Sequence, residues 1–354
     1  MARLDVLFKL LKDQGGSDLH LAAGNAPHLR RHGVVAPIAD WPVFNDESLR
    51  SHLQELASEK QWAHYTTNLD LDFAYAIPGL ARFRANFFNQ ERGAAAVFRI
   101  IPERIRTLEE LKAPAALAQL ATLEQGLVLV TGPTGSGKST TLAAIIDQVN
   151  ANSARHIITI EDPVEFVHPN KRSTLSQREV GVDTKSFSNA LRSAIRQDPG
   201  VILVGEMRDM ETISLAITAA EMGVLVFGTL HTNSAPKTID RVIDAFPTDQ
   251  QQQVRTMLSE SLAAVVSQLL LRTPDGAGRV AVHEILLKTP GLPNVIREGN
   301  TPMISSIIQS GKAQGMQSMD DILFKLATEK KISAEDAFHK AGNKARFEPM
   351  LESH

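Results

Sequence analysis

The chain has 354 residues, 43% hydrophobic and 22% charged, with a formal net charge of −3. That length predicts two domains with ample core, and the negative balance excludes a general nucleic-acid binder. The absence of cysteine excludes disulfides and thiolate zinc sites and suits a reducing cytosol.

Residues 1–12 mix charges and apolar residues in the pattern of an amphipathic helix, without the apolar stretch or cleavage site of a signal peptide. No segment approaches the ~20 uninterrupted apolar residues of a membrane span, so membrane association must run through a partner or a surface. Residues 18–21 and 70–75 alternate as short strands. Residues 81–89 and 94–101 read as a hairpin around Gln90-Glu91-Arg92-Gly93. A turn centred on Glu91-Arg92 sets Arg84 directly opposite Arg99. Like charges so placed cost up to ~1 kcal/mol, which a shared anion would reverse. The pair is therefore expected to clamp a phosphate, with Arg82 in reserve on the same face; a solvated basic strand face is the alternative. Because the hairpin lies on a different domain from the phosphate loop described below, the clamped nucleotide is expected on a neighbouring subunit. Residues 1–101 are taken as one domain and 102–115, with Pro102, Pro114 and several charges, as a linker.

From 116 onward strands and helices alternate, which predicts a mostly parallel sheet covered on both faces. Four apolar runs, at 127–130, 156–160, 201–204 and 225–228, each end in polar groups. In an open parallel sheet ligands bind beyond the carboxyl ends of the strands, so these ends are expected to converge on one nucleotide. The first run leads into Gly132-Pro133-Thr134-Gly135-Ser136-Gly137-Lys138-Ser139, a complete phosphate-binding loop, with Thr140 next and a helical pattern through Val149. Its glycines let backbone N–H groups face phosphate oxygens, and the helix N-terminus adds its positive end. Lys138 is expected on the β- and γ-phosphates of ATP and Ser139 on Mg²⁺.

The second run ends in Glu161-Asp162. Either carboxylate is placed to accept a proton from water aligned on the γ-phosphate; the alternative is a salt bridge or a turn cap before Pro163. The third ends in Gly205-Glu206. Gly205 stands where an aspartate is usual, so Glu206 must serve alone near Mg²⁺ and the attacking water; a helix-capping acid is its alternative. The fourth reaches His231, a γ-phosphate contact or else a structural histidine. A helix over 187–195, closed by Pro199, lies between the second and third. Residues 116–289 are taken as the catalytic domain. The tail, 290–354, reads as short helices broken by Gly299, Pro302, Gly311 and Gly315.

The stretches at 132–141, 158–168 (Ile-Thr-Ile-Glu-Asp-Pro-Val-Glu-Phe-Val-His), 202–209 (Ile-Leu-Val-Gly-Glu-Met-Arg-Asp) and 228–235 (Gly-Thr-Leu-His-Thr-Asn-Ser-Ala) resemble the secretion ATPase superfamily of type II and type IV secretion and type IV pili. Ser-Asp-Leu-His-Leu at 17–21, Arg-Phe-Arg-Ala-Asn at 82–86, Ile-Arg-Glu-Gly at 296–299 and Gly-Met-Gln-Ser-Met-Asp at 315–320 extend the resemblance, which is to the PilT-like pilus retraction ATPases. It implies a PAS-like N-terminal α+β domain, a RecA-like P-loop domain with a helical tail, and a homo-hexameric Mg-dependent ATPase. It implies Glu161 as catalytic glutamate in an Asp box, Glu206 in an atypical Walker B, His231 in a His box, and Arg84 and Arg99 as nucleotide-reaching arginines. It implies a cytoplasmic motor, peripheral at the inner-membrane base of the pilus, that powers retraction and twitching. The expected partners are a membrane platform protein and related pilus ATPases, with no nucleic acid. An accessory paralogue or a nucleotide-gated regulator is the alternative. Retraction ATPases typically carry Ala-Ile-Arg-Asn-Leu-Ile-Arg-Glu near the C-terminus, where this chain has Gly291-Leu292-Pro293-Asn294-Val295-Ile296-Arg297-Glu298. Pro293 thus replaces an arginine tied to retraction rather than to nucleotide binding.

Overall fold

The computed structural model describes residues 2–31, 33–102, 104–276 and 278–351. Met1, His32 and Glu103 of the expected N-terminal domain and linker, and residues 352–354 of the tail, lie outside the described residues. The chain forms two compact units, one of Met1–Arg104 with Asp162–Val167, the other of Ile105–Glu161 with His168–His354.

The first unit holds α1 (Asp5–Asp13), β1 (Asp18–Ala22), β2 (His28–Arg31), β3 (Val34–Pro37), α2 (Asp46–Gln54), α3 (Glu59–Asn68), β4 (Asp70–Ile77), β5 (Ala81–Gln90) and β6 (Gly93–Ile101). Its strands form one antiparallel sheet in the order β3-β2-β1-β6-β5-β4. Alternation decides which face is which. Ala81, Phe83, Ala85 and Phe87 of β5 are buried, and they share a core with Leu7, Phe8 and Leu11 of α1, Leu49 and Leu53 of α2, and Tyr65 of α3. Phe8 and Phe98 meet edge to face at 4.8 Å, the arrangement aromatic quadrupoles favour. Arg82, Arg84 and Asn86 occupy the alternate positions of β5. Asn45 caps α2 and Ser58 caps α3 in a capping box with Gln61.

The second unit runs α4 (Ala115–Leu120), β7 (Gly126–Thr131), α5 (Lys138–Asn152), β8 (His156–Glu161), β9 (Thr174–Glu179), α6 (Phe187–Ala194), β10 (Val201–Val204), α7 (Met210–Glu221), β11 (Leu225–Leu230), α8 (Ala235–Asp244), α9 (Thr248–Ser261), β12 (Leu262–Arg272) and β13 (Arg279–Leu287). The tail adds α10 (Leu292–Arg297), α11 (Ile304–Ser310), α12 (Met319–Thr328), α13 (Ala334–Lys340) and α14 (Glu348–Leu351), with short 3-10 turns between them. The sheet order is β13-β12-β7-β11-β10-β8-β9, parallel except for β13 at the edge.

Both faces of this sheet are covered, so its central strands are apolar throughout rather than alternating. Leu127 and Leu129 of β7 pack with α6 to α9, whereas Val128 and Val130 pack with α4 and α5. The β12–β13 hairpin was not among the expected elements. Leu262 follows the last residue of α9 directly, without a glycine or proline to mark the change of period. No described helix is long and apolar enough to cross a membrane.

Candidate nucleotide site

Residues 132–137 join β7 to α5. Gly132, Gly135 and Gly137 have φ of 145°, 80° and 86°, backbone that side-chain-bearing residues avoid. A Cβ on Gly132 would collide with the Gln268 carbonyl, and one on Gly137 would lie 2.9 Å from the Gln268 amide nitrogen. Gly135 opens on free space, so it is glycine for its φ alone. Gly137 is the N-cap of α5 and no side chain caps that helix, which leaves first-turn amides for an anion. Lys138 Nζ donates to the carbonyls of Gly132 at 2.7 Å and Pro133 at 3.1 Å. Ser136 is buried, and its Oγ lacks a hydrogen-bond partner among the described residues. Uncapped amides, an ammonium and a spare hydroxyl around one loop suit a polyphosphate.

The other strand ends line up beside it. Leu129 pairs with Gly228, Gly228 with Val204, and Val204 with Ile160. The loop, His231, Glu206 and Glu161 therefore follow four neighbouring parallel strands, a span of ~14 Å at ~4.8 Å per strand. The four apolar runs are thus adjacent strands, with their polar ends at one edge of the sheet.

Glu206 and His231 meet. His231 Nε2 lies 2.8 Å from Glu206 Oε1, and Arg208 Nε lies 2.6 Å from the same oxygen. Burial pushes the Glu206 carboxyl up, but the bonds from Arg208 and His231 outweigh it and hold the pKa below the usual carboxylate range. Glu206 caps no helix: the N-cap of α7 is Asp209, which accepts from Thr212 N–H. Arg208 lies within the stretch 202–209 and is not among the expected site residues. A cation two residues from the only strand-end carboxylate of β10 was the signal that could have found it.

Glu161 closes β8 and accepts from Thr159 Oγ1 at 2.7 Å, with Gln177 Nε2 at 3.4 Å. Asp162 opens the stretch that packs with the first unit, where the carbonyl of Val164 accepts from Arg82 Nη2 at 3.1 Å. The two adjacent carboxylates thus belong to different units.

In the first unit β5 and β6 pair with Arg84 opposite Arg99, the register read from the turn. Both arginines, with Arg30, have carboxylate neighbours within the same unit. Arg99 Nε donates to Asp18 at 2.8 Å, Arg30 lies 3.4 Å from Asp18, and Arg84 lies 3.7 Å from Asp72. Asp18 sits on β1 between Arg30 and Arg99. Burial raises its carboxyl, but bonds from Ser17 and Arg99 hold it low. The chain's own carboxylates offset the repulsion, so repulsion alone does not call for a phosphate. The sequence alone marks Asp18 and Asp72 only as strand residues.

The family model described as type II/IV secretion system protein matches residues 9–333. The chain belongs to that family. It is 52% identical over 328 residues to the type IV pilus retractation ATPase PilT of Pseudomonas aeruginosa, covering 93% of this chain and 95% of that one. It is 53% identical over 317 residues to a twitching motility protein of Neisseria gonorrhoeae, covering 90% and 84% respectively. A crystal structure of the pilus retraction motor PilT with bound ADP superposes with a TM-score of 0.90 at 43% identity, over 99% of each chain.

Within this family frame the departure at 291–293 has a simple local geometry. Pro293 occupies the first turn of α10, where a missing N–H costs nothing. Arg297 at the end of α10 ties back to Glu260 at 2.8 Å and to Ser259 Oγ at 3.2 Å.

Proposed function

We propose that this chain is the ATP-hydrolysing motor of type IV pilus retraction, acting as a homo-hexamer at the cytoplasmic face of the inner-membrane pilus base. The observation that carries the reading is the row of strand ends: a phosphate loop, a carboxylate–imidazole pair and a second carboxylate on four adjacent parallel strands. Relatedness to PilT along nearly the whole chain turns that chemistry toward retraction.

In this reading the loop residues Gly132 to Gly137, with Thr140, hold the phosphates of ATP and Lys138 meets the β- and γ-phosphates. Ser139 and Glu206 would hold Mg²⁺, which when bound offsets phosphate charge. Glu161 accepts the proton of the attacking water, and Thr159 and Gln177 orient its carboxylate. His231, hydrogen-bonded to Glu206, senses the γ-phosphate through that bond. Arg84 and Arg99 supply positive charge to the nucleotide of an adjacent protomer, and Asp18 aims Arg99. Turnover is gated by domain closure and product release. A membrane-embedded platform protein at the pilus base takes up the work, and related pilus ATPases act beside it.

Steady-state phosphate release by the purified protein is the direct test. Lys138→Ala should abolish it, and normal turnover in that variant would refute the site. Deletion of the gene in the source organism should leave excess surface pili and no twitching. Unchanged pili and twitching would instead favour an accessory paralogue, the reading that Pro293 supports.

A further inference from the structure

β12 runs parallel to β7, with Val266 opposite Val130 and Ser267 opposite Thr131. The next residue, Gln268, is 2% exposed and makes three hydrogen bonds against the phosphate loop and its surroundings. Its Nε2 donates to the Ser136 carbonyl at 2.7 Å. Its Oε1 accepts from Thr141 Oγ1 at 2.8 Å and lies 3.1 Å from His283 Nε2.

The orientation of this amide is decided by chemistry. A carbonyl can only accept, so the NH₂ of Gln268 must face Ser136. Its oxygen then faces Thr141 and His283, and both must donate. His283 therefore carries a proton on Nε2, and burial keeps the ring neutral.

The Ser136 carbonyl and the Gly137 N–H belong to one planar trans peptide and point to opposite sides of the chain. Fixing that carbonyl on Gln268 turns the Gly137 N–H away from β12. Gly137, at φ 86°, has no Cβ to resist a flip of this peptide. Once flipped, the peptide would offer a carbonyl oxygen to an anion instead of a donor. A Cβ at 137 would lie 2.9 Å from the Gln268 amide nitrogen, so the glycine also lets that amide approach the loop.

We propose that Gln268 is a positioning residue that sets the polarity of the phosphate loop, holding the Ser136–Gly137 peptide with its N–H toward the nucleotide phosphates, while His283 locks the Gln268 amide. This rests on the reading that the loop binds nucleotide, and it adds the residue that aims the loop.

The test is ADP binding by calorimetry and the KM and kcat for ATP, in the full-length protein and in Gln268→Met, His283→Phe and Lys138→Ala. Methionine keeps the length of glutamine and removes all three hydrogen bonds. Gln268→Met should weaken ADP by roughly tenfold or more, the loss expected for a misaimed bond to a charged group. It should raise KM for ATP more than it lowers kcat, because the bond serves bound substrate and transition state alike. A residue needed only for packing would lower the melting temperature without that split. His283→Phe should shift affinity in the same direction by less. ADP affinity and KM within ~2-fold of wild type in folded Gln268→Met would overturn the proposal. If Gln268→Met does not fold, wild-type affinity in His283→Phe overturns it instead. Lys138→Ala separates the two readings. Binding lost there but intact in Gln268→Met sinks only the role of Gln268, whereas binding intact in Lys138→Ala sinks the nucleotide site itself.

Discussion

The neutral His283 ring gives the second unit a pH dependence that a single substitution should remove. Burial brings its pKa from 6.5 down to about 4. At ~1.4 kcal/mol per pH unit, that difference is about 3 kcal/mol of stability. The unfolded chain takes up a proton near pH 6.5 and the folded chain only near pH 4, so between them the unfolded state holds more protons and stability rises with pH. The contribution is complete above pH 6.5 and is lost as pH falls to 4. His283→Leu deletes the titrating group. It leaves the Gln268 oxygen one donor short, a cost that does not vary with pH. Urea unfolding of both proteins across about pH 4.5 to 7 should therefore give a flatter slope for the variant, by up to ~1.4 kcal/mol per pH unit. Glu284, whose pKa burial raises, titrates in both proteins and cancels in the difference. Far-UV circular dichroism is the suitable probe, since Trp41 and Trp62, the only two tryptophans, lie in the first unit. Parallel stability curves would refute a buried neutral imidazole.

Glu206→Gln keeps the shape of the side chain and removes the charge that holds Arg208 and His231. Phosphate release should fall by ~100-fold or more, and a variant near wild-type rate would remove Glu206 from the chemistry. Arg84→Ala and Arg99→Ala should each lower turnover of the assembled oligomer by at least ~10-fold while leaving the first unit folded. Unchanged turnover in both would return the hairpin to a solvated basic face. Phe87 is fully buried and stacks edge to face on Phe73 and Phe98. Phe87→Ala should cost the first unit about 3–5 kcal/mol, read by tryptophan fluorescence in urea. A loss under ~1 kcal/mol would mean the core closes over the gap.

Much of the catalytic unit was legible because its strands are apolar runs that end in chemistry, and because the loop pattern tolerates few substitutes. The hairpin register was legible as well, since a symmetric turn leaves one pairing and places Arg84 on Arg99. What escaped was whatever depends on distant chain segments. Asp18 precedes Arg99 by 81 positions, and no periodicity links a strand aspartate to an arginine that far along. The β12–β13 hairpin was hidden by the unmarked passage from α9 into β12. Gln268 and Ser267 sit in an otherwise apolar run, Val265-Val266-Ser267-Gln268-Leu269. Two polar residues in a buried strand are costly unless bonded, and that was a usable sign. Their partners, Ser136, Thr141 and Thr131, could not be named without the sheet order.

The ion pairs on the polar face of the first sheet do not argue against a role for its arginines. A guanidinium has five N–H donors in a fixed fork. Asp18 takes the Nε donor of Arg99, which uses one edge and leaves the terminal nitrogens as donors of a defined direction. Asp18 is itself held: it is 2% exposed and accepts from Ser17 Oγ at 2.7 Å. A buried, hydrogen-bonded carboxylate is a rigid mount, whereas Arg99, with a side chain 68% exposed, presents most of its surface outward. Simple neutralisation would be served as well by a mobile surface carboxylate. A fixed one beneath an exposed guanidinium lowers the entropy lost when that group meets an anion. The same logic applies at Gln268, where a buried amide does no chemistry and decides which way a peptide points. In both places the group expected to meet phosphate is aimed by a residue on a neighbouring strand, Asp18 of β1 beside β6 and Gln268 of β12 beside β7.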